Sequence, residues 1–283
     1  MSDLICETKI FNLSTRSSAC NILNTNTDYK SKCEFYIPDM IVRDEFIEYI
    51  QFSVNYAVIP VSYYIVNETN NILVVLQNGA TTSYIFPIAN YTASLFMTQF
   101  LTTMGSGWSI SLNSSTSKFT ITHNSQSFQL LESSTIDFIL GFTDTVASSL
   151  VSGVHTTTMK RVCNFLPLPR ICLRSDELSS CSMDNIVITI PSNAKLNGQI
   201  IYQNSSNSKI LFRESALSRF TLSLTDDDGN YINFNGISSF FTFQFDIFRK
   251  FVPKLPSFNK IVEQQVGKVK YYYEEEDLVD GSL

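Results

Sequence analysis

Apolar and polar residues alternate along residues 49–58, Tyr-Ile-Gln-Phe-Ser-Val-Asn-Tyr-Ala-Val. Ile50, Phe52, Val54, Tyr56 and Val58 share one face, with Gln51, Ser53 and Asn55 on the other. That period of two predicts a half-buried β-strand, and Pro60 predicts its end, because proline cannot donate to a ladder. Comparable alternation returns only after about residue 160. It is clearest at Phe220, Leu222 and Leu224, and at Phe241, Phe243, Phe245 and Ile247.

The intervening block follows other rules. Ile72–Leu76 is a short apolar run, and Gln77-Asn78-Gly79 is a hairpin signal leading to a partner strand over Thr82–Pro87. From Thr92, the residues Phe96, Met97, Phe100, Leu101 and Met104 recur at helical spacing, and Gly105 stops them. Strands are predicted at Trp108–Leu112, Lys118–Thr122 and Gln126–Leu131. A second short helix has Ser134 as its expected N-cap and Gly141 as its end. Residues 66–145 therefore read β-β-α-β-β-β-α.

After about residue 156, six strand-like segments follow, with the Thr225–Asn230 turn between Leu224 and a return strand at Tyr231–Phe234. With one or two strands before residue 62, the total is about eight, the size of a jelly roll. The predicted fold is mainly β: a single jelly-roll β-sandwich interrupted by a small inserted α/β domain. Its divisions are an N-terminal arm (1–30), a discontinuous jelly roll (31–65 and 155–253), the inserted domain (66–150) and a C-terminal tail (254–283).

Composition narrows the function classes. Of 283 residues, 44% are hydrophobic and only 16% charged, below the roughly 25% of an average globular chain. Phe (22) and Tyr (13) far outnumber Trp (1). A low-charge, aromatic chain suits extensive burial against neighbours, and also an ordinary β protein of biased composition. The net charge of −6 and the absence of a basic cluster argue against binding of nucleic acid through its phosphates. The run Glu274–Asp277 reads as a solvated tail. The N-terminus has no signal-peptide pattern, and no apolar run reaches the ~18–20 residues of a membrane span, so synthesis in the cytosol is expected. In that compartment Cys6, Cys20, Cys33, Cys163, Cys172 and Cys181 are expected as thiols. The sequons beginning at Asn12, Asn67, Asn90, Asn113 and Asn204 then reflect only Asn/Ser/Thr richness.

Chemical motifs are weak. Asp226-Asp227-Asp228-Gly229-Asn230 resembles a calcium loop but lacks the distant glutamate, and a tight turn explains it. His155 has no Gly-x-Ser-x-Gly elbow to accompany it. With only His123 besides it and no Cys-x-x-Cys pair, a zinc site is not expected. Lys254 and Glu48 show no pairing logic, and Gly105-Ser-Gly107 lacks a phosphate-loop continuation. Phe234-Asn235-Gly236 reads as a second tight turn, or as a shaper of a subunit contact. No catalytic, cofactor-binding or metal residues are assigned, and no enzyme activity or cofactor is expected.

Several segments together resemble a known family. They are Val58-Ile-Pro-Val-Ser-Tyr-Tyr-Ile, Asn70-Asn-Ile-Leu, Asn90-Tyr-Thr, Leu140-Gly-Phe, Ile190-Pro, Gly198-Gln-Ile-Ile-Tyr202 and Leu224–Gly236. Across about residues 30–250 they look like the penton or minor capsid proteins of virophages, Polinton-like elements and giant double-stranded DNA viruses. The resemblance implies a jelly roll in the capsid wall with an insertion projecting outward. It implies a structural virion protein: the pentameric vertex subunit of an icosahedral capsid, synthesised in the host cytoplasm and placed beside the major capsid protein. The alternative is a minor capsid or spike-base protein whose inserted domain binds a fibre or host receptor. An enzyme of the carbohydrate-active jelly-roll type lacks a placeable carboxylate pair.

Overall fold

The computed structural model describes residues 4–41, 46–179, 185–212 and 217–250. The chain opens with β1 (Leu4–Ser14), β2 (Cys20–Ile22), β3 (Lys32–Ile41) and β4 (Ile47–Pro60). Then come β5 (Ile72–Gln77), β6 (Ala80–Ile85), α1 (Ala93–Met104), β7 (Trp108–Asn113), β8 (Lys118–His123), β9 (Phe128–Leu130), α2 (Asp137–Leu140), β10 (Val146–Ala147), β11 (Ser149–Val151) and β12 (Val154–Thr158). The final group is β13 (Arg170–Arg174), β14 (Ile186–Pro191), β15 (Gln199–Gln203), β16 (Ile210–Phe212), β17 (Leu217–Thr225) and β18 (Phe240–Lys250).

The first and last groups interleave into two antiparallel sheets, β1-β18-β4-β15, with β16 also on β4, and β14-β13-β17-β3-β2. Set aside β2 and β16 and number the remaining eight strands by chain order. The sheets then read 1-8-3-6 and 2-7-4-5, the winding of a jelly roll, in which two Greek keys are wrapped face to face. Phe35, Phe52, Phe220, Phe241, Phe243 and Phe245 fill the space between the sheets, each almost wholly buried. The inward positions expected on β17 and β18 are all buried.

The chain leaves this sandwich between β4 and β13 and builds a second core. Its sheets are β10-β9-β5-β6 and β11-β12-β8-β7, with α1 packed against β7. The β5–β6 hairpin turns on Asn78 and Gly79, both at positive φ (52° and 77°), as a two-residue hairpin turn requires. Thr92 caps α1 by accepting from the Leu95 N–H, and Phe96 and Phe100 stack with Phe86 in the core.

Five expectations change. The phase of β4 does not persist. A bulge at Asn55 shifts its register against β18, so Ile50, Phe52 and Val54 face inward but Ala57 and Ile59 replace Tyr56 and Val58 beyond it. The Asn55 amide donates to Gln244 and accepts from Ser53, holding the extra residue in place. Residues 4–14, expected in an arm, form an eleven-residue strand along the whole of β18. The less exposed face carries Glu7 and Lys9 beside Phe11 and Leu13, and Ile10 is exposed, so no apolar alternation reveals the strand. His155–Thr158, expected with the sandwich, pair instead with His123–Thr120. Ser134 is not an N-cap; its hydroxyl engages Leu131 and Val74, and α2 starts at Asp137 without a side-chain cap. Tyr231–Phe234 forms no strand, only one bridge from Tyr231 to Thr225. The tail expected at 254–283 lies outside the described residues.

Candidate functional site

Where the second core leaves the sandwich, a cleft of about 630 Å³ opens. One wall is the neck of the insertion. There Val66 and Ala89 exchange backbone hydrogen bonds, and the Asn90 side chain accepts from the Ile65 N–H at 2.8 Å. The expected turn at Asn67–Asn71 is present, closed by Asn67 accepting from the Thr69 N–H and Asn70 donating to the Ile65 carbonyl. A second wall is α2, which presents Phe138. Gly141 ends α2 at φ 93°, and a Cβ there would stand 2.4 Å from the Arg161 carbonyl oxygen. Only glycine lets the segment leaving β12 pass this close, and Asn164 N–H then bonds the Ile139 carbonyl.

The sandwich supplies the third wall through the aspartate loop and Tyr29. Asp226 accepts from both the backbone and side-chain nitrogens of Asn230, at 2.8 and 3.0 Å. Asp227 pairs with Arg170 at 2.6 Å. These are the bonds of a closed turn, and among the described residues no three His, Cys, Asp or Glu side chains are grouped to hold a metal. The Tyr29 hydroxyl donates to Glu68, joining sandwich to insertion. Burial, and then Glu68, push the Tyr29 phenol up to about 12. Burial acts to raise the Glu68 carboxyl, but its bond from Tyr29 and those from its own backbone and Asn233 hold it below its ordinary value. Asn235 and Gly236 form a turn at positive φ. The turn is tied within the chain: Phe234 N–H to the Tyr29 carbonyl, Gly236 N–H to the Asp28 carbonyl, and Ser62 hydroxyl to the Phe234 carbonyl.

The other sequence candidates lie apart from the cleft. His155 sits opposite His123 in the β12–β8 ladder, with no serine–aspartate constellation described around it. His123 is buried against Trp108, with its Nδ1 accepting from the Gln126 N–H. Burial, and then the neighbouring His155, lower its pKa. Gly107 lies against the same imidazole rather than at a phosphate. Glu48 pairs with Lys250 at 2.9 Å, while Lys254 lies outside the described residues. Cys6, Cys20, Cys33, Cys163 and Cys172 are thiols, and Cys181 is outside the described residues. No described helix is long and apolar enough to cross a membrane.

Sequence alternation concealed one buried polar centre. Asp246 reads as an outward residue of β18, yet it is 3% exposed. It accepts from Lys209 at 2.6 Å, Thr8 at 2.7 Å and Gln244 at 2.8 Å. Burial would raise its pKa, but these bonds outweigh it and the carboxyl lies below its ordinary range. The network stitches β1, β18 and the Lys209 segment together, and none of its residues lines the cleft.

No protein-family model matches the chain, and no curated protein matches it significantly. Among solved structures, the chain is similar to the penton protein of mavirus. The superposition has a TM-score of 0.46 at 12% sequence identity, covering 85% of this chain and 99% of that one.

Proposed function

We propose that the protein is a structural subunit of an icosahedral virion shell, a homopentamer at the five-fold vertex beside the major capsid protein. The observation that carries this reading is the strand order: a complete eight-strand jelly roll in which one connection has grown into a second cored unit. Jelly rolls recur in viral capsid and lectin domains, and the motif resemblance of residues 30–250 favours the capsid member of that pair. The outer edge of β1 also suits a wall subunit. It carries exposed Leu4, Ile5 and Ile10 and no strand partner among the described residues, and an exposed apolar edge invites contact with another chain. Closed cyclic symmetry would bury such edges and loops in every copy.

Light scattering on the purified chain tests the oligomer, with a pentamer expected. Co-assembly with the major capsid protein tests the placement. A chain that stays monomeric at high concentration and has no affinity for capsid protein removes this proposal.

A second reading, a minor capsid or spike-base protein whose insertion takes a fibre or receptor, is favoured by exposed Ile85, Leu95 and Leu150 on the insertion. Under it, a variant lacking residues 66–164 still enters the shell but no longer attaches to cells.

A further inference from the structure

We infer that the cleft between the insertion neck and the Asp226–Asn233 segment is a binding site for a short, uncharged saccharide. Its volume, about 630 Å³, lies within the ~300–1,000 Å³ of clefts that take small ligands. Its surface combines apolar faces with polar groups fixed in direction. Tyr64 (40% exposed), Tyr231 (43%) and Phe138 (62%) line it. None of the three has an aromatic ring partner among the described contacts, although Lys32 lies over one face of Tyr231 at 5.5 Å. Rings left open at a cleft wall lose the benefit of burial unless something covers them. The C–H face of a pyranose is a flat, weakly polarised surface suited to such rings.

The charges decide the ligand class. Glu68, Asp226, Asp227 and Asp228 outnumber the cations at the cleft, which are Arg170, already held by Asp227, and Lys32 over Tyr231. An anionic ligand would meet net negative charge with no unengaged cation in the lining. A basic peptide would have to compete with internal bonds, because Asp226 engages both oxygens with Asn230 and Glu68 accepts from Tyr29. Glu68, Asp226 and Asp227 are therefore held as oriented acceptors with remaining lone pairs, the geometry that sugar hydroxyls require. A buried group in the same wall lacks a completed partner. The Tyr63 hydroxyl is enclosed beside Ser192, and neither oxygen makes a hydrogen bond of acceptable geometry.

This inference is independent of the shell proposal, since binding is measured on the isolated full chain whatever its oligomer. Saturation-transfer NMR and calorimetry would be run with maltotriose, mannotriose and triacetylchitotriose, against 3′-sialyllactose and hexalysine. At least one neutral trisaccharide is expected to bind and to outcompete both charged probes. Tyr64→Ala and Phe138→Ala should each weaken that binding about tenfold, a factor equal to about 1.4 kcal/mol. Leu150→Ala, outside the cleft, should leave it unchanged. Melting curves check that the variants fold, and Asp228→Ala, on the exposed loop, gives a second route to the same loss. No transfer to any neutral trisaccharide, preference for sialyllactose or hexalysine, or binding equal in all the variants would overturn the inference.

Discussion

The sandwich and the insertion solve the same packing problem with opposite wiring. In the insertion, β5–β6, β7–β8 and β11–β12 are neighbours in sequence joined by short turns, and α1 covers the core they form. In the sandwich, β1 pairs with β18 and β18 with β4, so contacts such as Thr8 to Asp246 span 238 residues. Closing such loops costs entropy before any contact rewards it. The difference teaches that the insertion holds its own instructions, whereas the sandwich exists only when both ends of the chain are present.

The strongest way to break this contrast is dissection. A fragment covering residues 64–166 should fold alone and melt cooperatively by circular dichroism. A 66–150 fragment should not, because it omits β12, which pairs with β8, and Met159, which is buried in the second core. The complementary chain, with 66–164 replaced by a Gly-Ser bridge, should keep the sandwich transition. Loss of that transition would mean that the two cores are one cooperative unit.

Next come paired core truncations. Phe243 touches Phe52 and Phe220 at ring-centroid distances of 5.5 and 5.7 Å, and Phe96 contacts Phe86 at 5.0 Å. Each Phe→Ala change should cost about 3–5 kcal/mol, Phe243→Ala from the sandwich transition and Phe96→Ala from that of the insertion. Denaturant titrations followed by hydrogen exchange would assign the loss to one core or the other.

Smaller effects separate the two regions by pH. Asp246 has a lowered folded pKa. Its contribution is therefore complete above the unfolded value near 3.9 and is lost as the pH falls through the folded one. Asp246→Asn should remove about 2 kcal/mol at neutral pH and flatten the sandwich's acid dependence below about pH 4. His123 also has a lowered folded pKa, but it is a base. Both folded and unfolded chains hold it neutral above about pH 6.5. As the pH falls below that value the unfolded state takes up the proton first, so the insertion should weaken already between about pH 6.5 and the folded pKa. His123→Gln should abolish this early loss, and coincident acid transitions in the two regions would erase the distinction.

Legibility from sequence follows the same division. The insertion's hairpin at Asn78-Gly79, the helix start at Thr92 and the Phe96/Phe100 face are local signals, and the structure places each at its predicted position. The inward faces at Phe220–Leu224 and Phe241–Ile247 are also legible, because inward alternation runs uninterrupted through those two stretches. What escaped was set by distant partners. The Asn55 bulge depends on Gln244, and β1 becomes a strand only because β18 is there to pair with it. The cleft was invisible for a related reason: Tyr29, Glu68, Phe138 and Asp227 are dispersed in sequence and meet only after both cores form. The aspartate loop reads as a turn, but nothing local to it announces that it walls a cavity.

The pairing of β1 with β18 also sets a clock. Thr8 is polymerised 238 residues before Asp246. At roughly 5–20 residues per second of synthesis, the first strand waits on the order of 12–50 seconds for the last. The whole insertion emerges and can fold within that interval, while Phe52 and Ile50 still lack the strand that will cover them. Nascent chains are therefore most vulnerable to mispairing with one another late in translation, when one sheet of the sandwich is half built and its edge is still open.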